Sequence, residues 1–177
     1  MKFYLSGGME FREDLGGPWR KWISEELNKI GHSGIDPTKL EEDENIKGPT
    51  QKYLNELKLK GDVDKVRKIV RNSLFRKDMY GIQLSDATIV LYDRSVQLGA
   101  GTLAEVWESF REGRPIYIMS DFPLNKVPGW LIGESTEVFF NFDDLLFYLG
   151  KHDQIHADVV AAQKTRDEVL GGIYSAY

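Results

Sequence analysis

Apolar residues along this chain fall into short continuous runs separated by stretches of helical period, and the two patterns alternate almost from end to end. Phe3-Tyr4-Leu5 reads as a strand stopping at Ser6-Gly7-Gly8, where the backbone can turn tightly and approach a ligand. Pro18 then opens a predicted helix with Trp19, Trp22, Ile23, Leu27 and Ile30 at helical spacing, closed by Gly31. Ile35-Asp36-Pro37 predicts a second short strand reaching a loop. Residues 38–61 break the alternation with an acidic run (Glu41, Glu42, Asp43, Glu44), Gly48-Pro49, a short helix around Tyr53–Leu59, and Gly61. This insertion is either a lid or a solvated excursion. From Asp62 a longer helix places Val63, Val66, Ile69, Val70, Leu74 and Ile82 on one face. Lys65, Lys68, Arg71, Arg76 and Lys77 give it a basic face of the kind solvent usually takes.

Ala87–Tyr92 (ATIVLY) is continuously apolar and β-branched, which suits an interior parallel strand buried on both sides. A loop with Gly99 and Gly101-Thr102 leads into a helix carrying Leu103, Val106, Trp107 and Phe110, stopped by Gly113. Strands follow at Pro115–Met119 and Val138–Phe140, then a short helix at Asp143–Leu149 and an amphipathic one over residues 154–170. Strand–helix alternation predicts a single-domain α/β fold, a parallel sheet of the flavodoxin/Rossmann kind with helices on both faces. Ligands in such sheets lie at the carboxyl ends of the strands, so chemistry is expected near Ser6, Asp36, Asp93 and Met119.

Composition narrows the partners. The 177 residues carry a formal net charge of −5, which argues against nucleic acid, since phosphate binding wants clustered Lys and Arg. There is no cysteine, so thiolate zinc sites, disulfides and a cysteine nucleophile are excluded. No signal-peptide stretch and no run of about 18 apolar residues occurs, so a soluble cytoplasmic protein is expected. His32, His152 and His156 lie near predicted helix ends; the last two are four apart, lack the H-E-x-x-H glutamate, and read as surface residues. Neither a G-x-S-x-G nor a complete G-x-G-x-x-G is present. Carboxylates remain: Asp78 late in the long helix, and Glu105 in the first turn of the helix after Gly101-Thr102. Each has a bland reading, as a surface aspartate or as a glutamate favoured by the helix dipole.

Taken in order, Tyr4-Leu5-Ser6-Gly7-Gly8, Asp36-Pro37, Asp78-Met79-Tyr80-Gly81-Ile82, Ser85-Asp86-Ala87-Thr88-Ile89-Val90 and Gly101-Thr102-Leu103-Ala104-Glu105 form a set. That set resembles the nucleoside 2-deoxyribosyltransferase family, including its deoxynucleoside-monophosphate N-glycosidase relatives. It spans roughly the first two-thirds of the chain, plus a tyrosine-ending C-terminus. The resemblance implies that Glu105 is a covalent nucleophile, that Tyr4 hydrogen-bonds it, and that Asp78 handles the proton of the leaving base. It implies that Gly7-Gly8 line the sugar or the 5' position and that the Tyr177 carboxylate reaches a neighbouring subunit's site; further substrate contacts are expected from Ser6, Asp36, Asp93, Gly101, Thr102 and Met119. Many members carry a further aspartate just ahead of the glycine–glutamate segment. Here that stretch reads Gln97-Leu98-Gly99-Ala100, with Asp93 nearby but out of register.

The expected activity is transfer of 2-deoxyribose between nucleobases, with a deoxynucleoside and a free base as partners, no cofactor or metal, and a homo-oligomeric assembly. The alternatives are hydrolysis of a deoxynucleoside 5'-monophosphate and non-catalytic nucleotide binding. A phosphate pocket would draw on Gly7-Gly8, Ser95 or Thr102, and Arg12. Residues 120–150 point to no chemistry beyond Asp121 and Asn125 after a strand; Trp130, Phe139 and Phe140 read as core or subunit contact.

Overall fold

The computed structural model describes residues 1–40 and 50–175. Its strands are β1 (Lys2–Gly7), β2 (Ser33–Ile35), β3 (Ala87–Tyr92), β4 (Ile116–Ser120) and β5 (Glu137–Phe139). They form one sheet in the order β2-β1-β3-β4-β5, every pairing parallel. The helices are α1 (Gly17–Lys29), α2 (Thr50–Leu59), α3 (Val63–Ile69), α4 (Phe75–Gln83), α5 (Arg94–Leu98), α6 (Gly101–Arg111), α7 (Gly129–Glu134), α8 (Phe142–Leu149) and α9 (His152–Ser175). The predicted α/β architecture is the observed one. None of the described helices is long and apolar enough to cross a membrane. The acidic run, Gly48-Pro49 and Tyr177 lie outside the described residues.

Alternation along the strands divides the core in two. Phe3, Leu5, Ile89, Leu91 and Met119 face Trp19, Ile23 and Leu27 of α1, Leu145 and Leu149 of α8, and Ile155 of α9. Val90, Tyr92, Ile116 and Ile118 face Val106 and Phe110 of α6 and Leu131 of α7. All six residues of β3 are buried, as its unbroken β-branched run requires. Local chemistry sets the helix starts: Pro18 opens α1, and Asp93 caps α5 by accepting from the Ser95 N–H at 2.8 Å. The C-terminal helix is tied down where Asp158 accepts from the Tyr117 hydroxyl at 2.8 Å, the Tyr148 hydroxyl at 3.0 Å and the Gln154 amide at 3.0 Å.

Two details differ from the sequence expectation, and a third concerns His32, whose burial no sequence feature marks. The long helix from Asp62 is α3 and α4 joined by a π turn over Val70–Leu74. The extra residue in that turn rotates α4 out of phase with α3. Val63 is therefore left exposed while Ile82 is fully buried. Glu105 lies in the second turn of α6, which begins at Gly101, so the dipole of the first turn does not account for it. His32 is buried, with Nδ1 3.1 Å from the N-terminal amine and Nε2 3.0 Å from the Leu149 carbonyl, whereas His152 and His156 are exposed as expected.

Gly81 is where α4 passes the ring of Tyr4. A Cβ there would come within 2.7 Å of Tyr4 Cε2 and 3.1 Å of Leu40 Cδ1. Gly81→Ala is therefore expected to destabilise the protein by about 1–3 kcal/mol. A lowered urea midpoint at unchanged slope is the measurement that checks it.

Candidate active site

A cleft opens at the carboxyl ends of β1 and β3, the point where the strand order turns outward in both directions. Tyr4 and Ser6, two apart on β1, point to the same face of the sheet, toward α6. The Tyr4 hydroxyl donates to Glu105 Oε1 at 3.1 Å, and the Ser6 hydroxyl donates to Glu105 Oε2. Each carboxylate oxygen thus has a hydroxyl donor from the central strand. The register of α6 is held from behind: the Thr88 and Ser109 hydroxyls are 2.8 Å apart, and Ser109 donates to the Glu105 carbonyl at 2.9 Å.

Asp78, from α4, lines the same cleft as Glu105. Burial, then the nearby charge of Glu105, pushes the Asp78 carboxyl up to about 7. Glu105 is also raised by burial, opposed by the Ser6 hydrogen bond, the charge of Arg20 and the Tyr4 hydrogen bond. Burial and the charge of Glu105 hold the Tyr4 phenol well above its usual range, so it remains a donor. Two largely buried carboxyl groups in one cleft do not readily ionise together. Glu105 has the two hydroxyl donors, which favour its ionised form, and Asp78 has the carboxyl raised toward neutrality. The two carboxyl groups face a common space.

Of the residues singled out from sequence, Gly7, Gly8, Asp78, Gly101, Thr102 and Glu105 line the cleft, and Tyr4 and Ser6 bond Glu105 beneath it. Gly8 permits a close approach: a Cβ there would lie 2.0 Å from the Ser95 hydroxyl oxygen. Met119 is not brought to the cleft. Its register with Leu91 turns it to the opposite face of the sheet, among the core residues under α1 and α8. Asp36 instead caps the 3₁₀ turn Pro37–Lys39, accepting from the Thr38 N–H at 2.9 Å. Asp93 caps α5 and forms an ion pair with Arg12, whose guanidinium also bonds Asp14 at 2.8 Å.

Sequence reading missed several cleft residues. Gln51 of α2 reaches the rim, with Leu54 and Leu57 of the same helix buried, so part of the 38–61 insertion packs over the site. Glu10 and Phe11 form the facing rim, and Lys58 of α2 pairs with Glu10 across it. Lys77, assigned to a solvated face, lines the cleft beside Asp78. Arg20 carries no motif, although it is fully buried. Its signal was a charged residue three before Ile23 and seven before Leu27, on the apolar face of α1.

No family model and no curated protein matches the sequence. Among solved structures, the chain is similar to a 2-deoxyribosyltransferase from Bacillus psychrosaccharolyticus, at 20% identity over 84% of this chain and 92% of that one, with a TM-score of 0.56. It also matches the Clostridium botulinum CMP N-glycosidase BcmB at 14% identity, covering 84% of this chain and 97% of that one, with a TM-score of 0.48. At such identities the likeness is one of architecture: this chain has the fold of the Bacillus 2-deoxyribosyltransferase.

Proposed function

We propose that the chain cleaves the N-glycosidic bond of a 2'-deoxynucleoside through a glycosyl ester on Glu105 and passes the sugar to a second nucleobase. The observation that carries this reading is the pairing in one cleft of a hydroxyl-held Glu105 carboxylate with the proton-retaining Asp78. Asp78 gives its proton to a ring nitrogen of the base, and the C1'–N bond breaks with its electron pair leaving on the base. A Glu105 oxygen forms the C1'–O bond from the opposite face of the sugar, as carboxylate nucleophiles do in retaining glycosidases. An incoming base then attacks C1', gives its N–H proton to Asp78 and returns the ester electron pair to Glu105. Two inversions restore the original configuration. Exposed Trp130 and Phe147 support an assembly of like chains around this activity.

The state of Arg12 supports an unphosphorylated substrate. It is engaged by Asp14 and Asp93, so the cation that a 5'-phosphate would need on that side already serves two carboxylates. Lys77 favours a second reading, hydrolysis of a deoxynucleoside 5'-monophosphate. It brings positive charge to the cleft and has no ion-pair partner among the described residues. Incubation with a deoxynucleoside or its 5'-monophosphate, each with a second free base, separates the two. A new deoxynucleoside, released at constant total deoxynucleoside, is expected. Free sugar phosphate alone would replace transfer by hydrolysis, and no turnover of either compound would remove both.

A further inference from the structure

The structure assigns Arg20 as a positioning residue for the nucleophile: it fastens the end of β1 on which Ser6 sits and sets a buried positive charge near Glu105. This inference rests on the role proposed for Glu105. β2 is only three residues long and pairs with β1 no further than Tyr4. Beyond that point the carbonyls of Leu5 and Gly7 have no β2 neighbour. Arg20 takes the place of the missing strand, donating from Nε to Leu5 O at 2.9 Å and from Nη2 to Gly7 O at 2.7 Å. Those two residues flank Ser6. Nη1 meanwhile donates to Gly16 O at 3.0 Å and Leu15 O at 3.2 Å, so one side chain joins both ends of the β1–α1 loop.

A lysine could not hold both sets at once, since only the planar guanidinium presents donors on several edges. The charge matters separately from the bonds. Among the described residues, all its hydrogen-bonded partners are neutral carbonyls, and its nearest carboxylate is Asp36, at 4.0 Å from Nε. Its field therefore reaches the other anions of the buried cluster. Glu105 is faced by Tyr4 and Ser6 from β1, by Asp78 and Lys77 from α4, and by Arg20 from α1. Arg20 in turn is faced by Asp36 and Arg12. The charge of Arg20 thus acts with the Ser6 and Tyr4 hydrogen bonds to oppose the burial that raises Glu105.

The test reads the ionisation of Glu105 directly, without substrate. Glutamate side chains labelled with ¹³C at the carboxyl carbon are titrated by NMR in the wild type, Arg20→Met, Arg20→Lys and Asp36→Asn, with Glu105→Gln assigning the signal. Arg20→Met is expected to raise the Glu105 midpoint by about one pH unit or more. Arg20→Lys keeps the charge and holds the midpoint within a few tenths of a unit, yet loosens Ser6. Asp36→Asn removes the competing anion while keeping an oxygen for the Thr38 cap, and is expected to lower the midpoint. A folded Arg20→Met with the wild-type midpoint would overturn the assignment. Should Arg20→Met fail to fold, an unmoved midpoint in Asp36→Asn does so instead. These shifts in a wild type that turns over no nucleoside would uphold the role of Arg20 and sink the proposed activity.

Discussion

Glu105→Gln is expected to lower sugar transfer by about 10⁴-fold or more, the scale on which covalent catalysts lose activity when the nucleophile is removed. Glutamine occupies the same volume and can still meet the Tyr4 and Ser6 hydroxyls. The loss therefore reports chemistry. It also removes a carboxylate whose ionised form burial disfavours, so the melting temperature is expected to rise at neutral pH. A 2-deoxy-2-fluoroarabinosyl nucleoside slows breakdown of a glycosyl ester, and mass analysis of the digested wild type is expected to find the sugar on the Glu105 peptide. A variant with near-normal transfer, or a label on another residue, would end the mechanism.

Asp78→Asn is expected to cost about 10²–10⁴-fold, the range for a lost general acid. The pH dependence comes from the raised carboxyl. Asp78 acts in its protonated form, so wild-type kcat/KM falls as pH rises through about 7. The asparagine variant loses that limb. A 7-methylated deoxyguanosine, whose cationic base departs without further protonation, is expected to recover most of the lost rate. An unchanged pH limb in the variant, or no such recovery, would reassign the acid. Stability runs the same way: a carboxyl raised above its ordinary 3.8 makes the native state favour the proton. The wild type therefore loses stability between the ordinary value and about pH 7, and Asp78→Asn does not.

Much of the sheet was legible because β1, β3 and β4 are apolar runs bounded by polar or glycine residues, a pattern that survives any tertiary context. Tyr4, Asp78 and Glu105 were found as an ordered set of motifs, and the fold brings all three to one cleft or its floor. The illegible parts have particular causes. The direction of Met119 depends on the parity of its register with Leu91, and in a strand buried on both faces the hydrophobic pattern does not reveal parity. Helices α5 and α7 are five and six residues long, too short for a period to declare itself. The π turn before α4 leaves no compositional mark, yet it sets the phase in which Asp78 is presented. Arg20 resembles any helix arginine until β2 is seen to end at Ile35 and the carbonyls beyond it need donors.

The hydroxyl–carboxylate contact at the centre of the cleft joins residues 101 positions apart. β1 must slot between β2 and β3 before Tyr4 can meet α6, and parallel pairings of this kind close long loops before they are rewarded. An amino-terminal fragment that ends before α6 cannot hold the Tyr4–Glu105 contact. Recovery of turnover after dilution from denaturant thus tracks the docking of α6 on β1 and β3, and trails any signal from early helix formation.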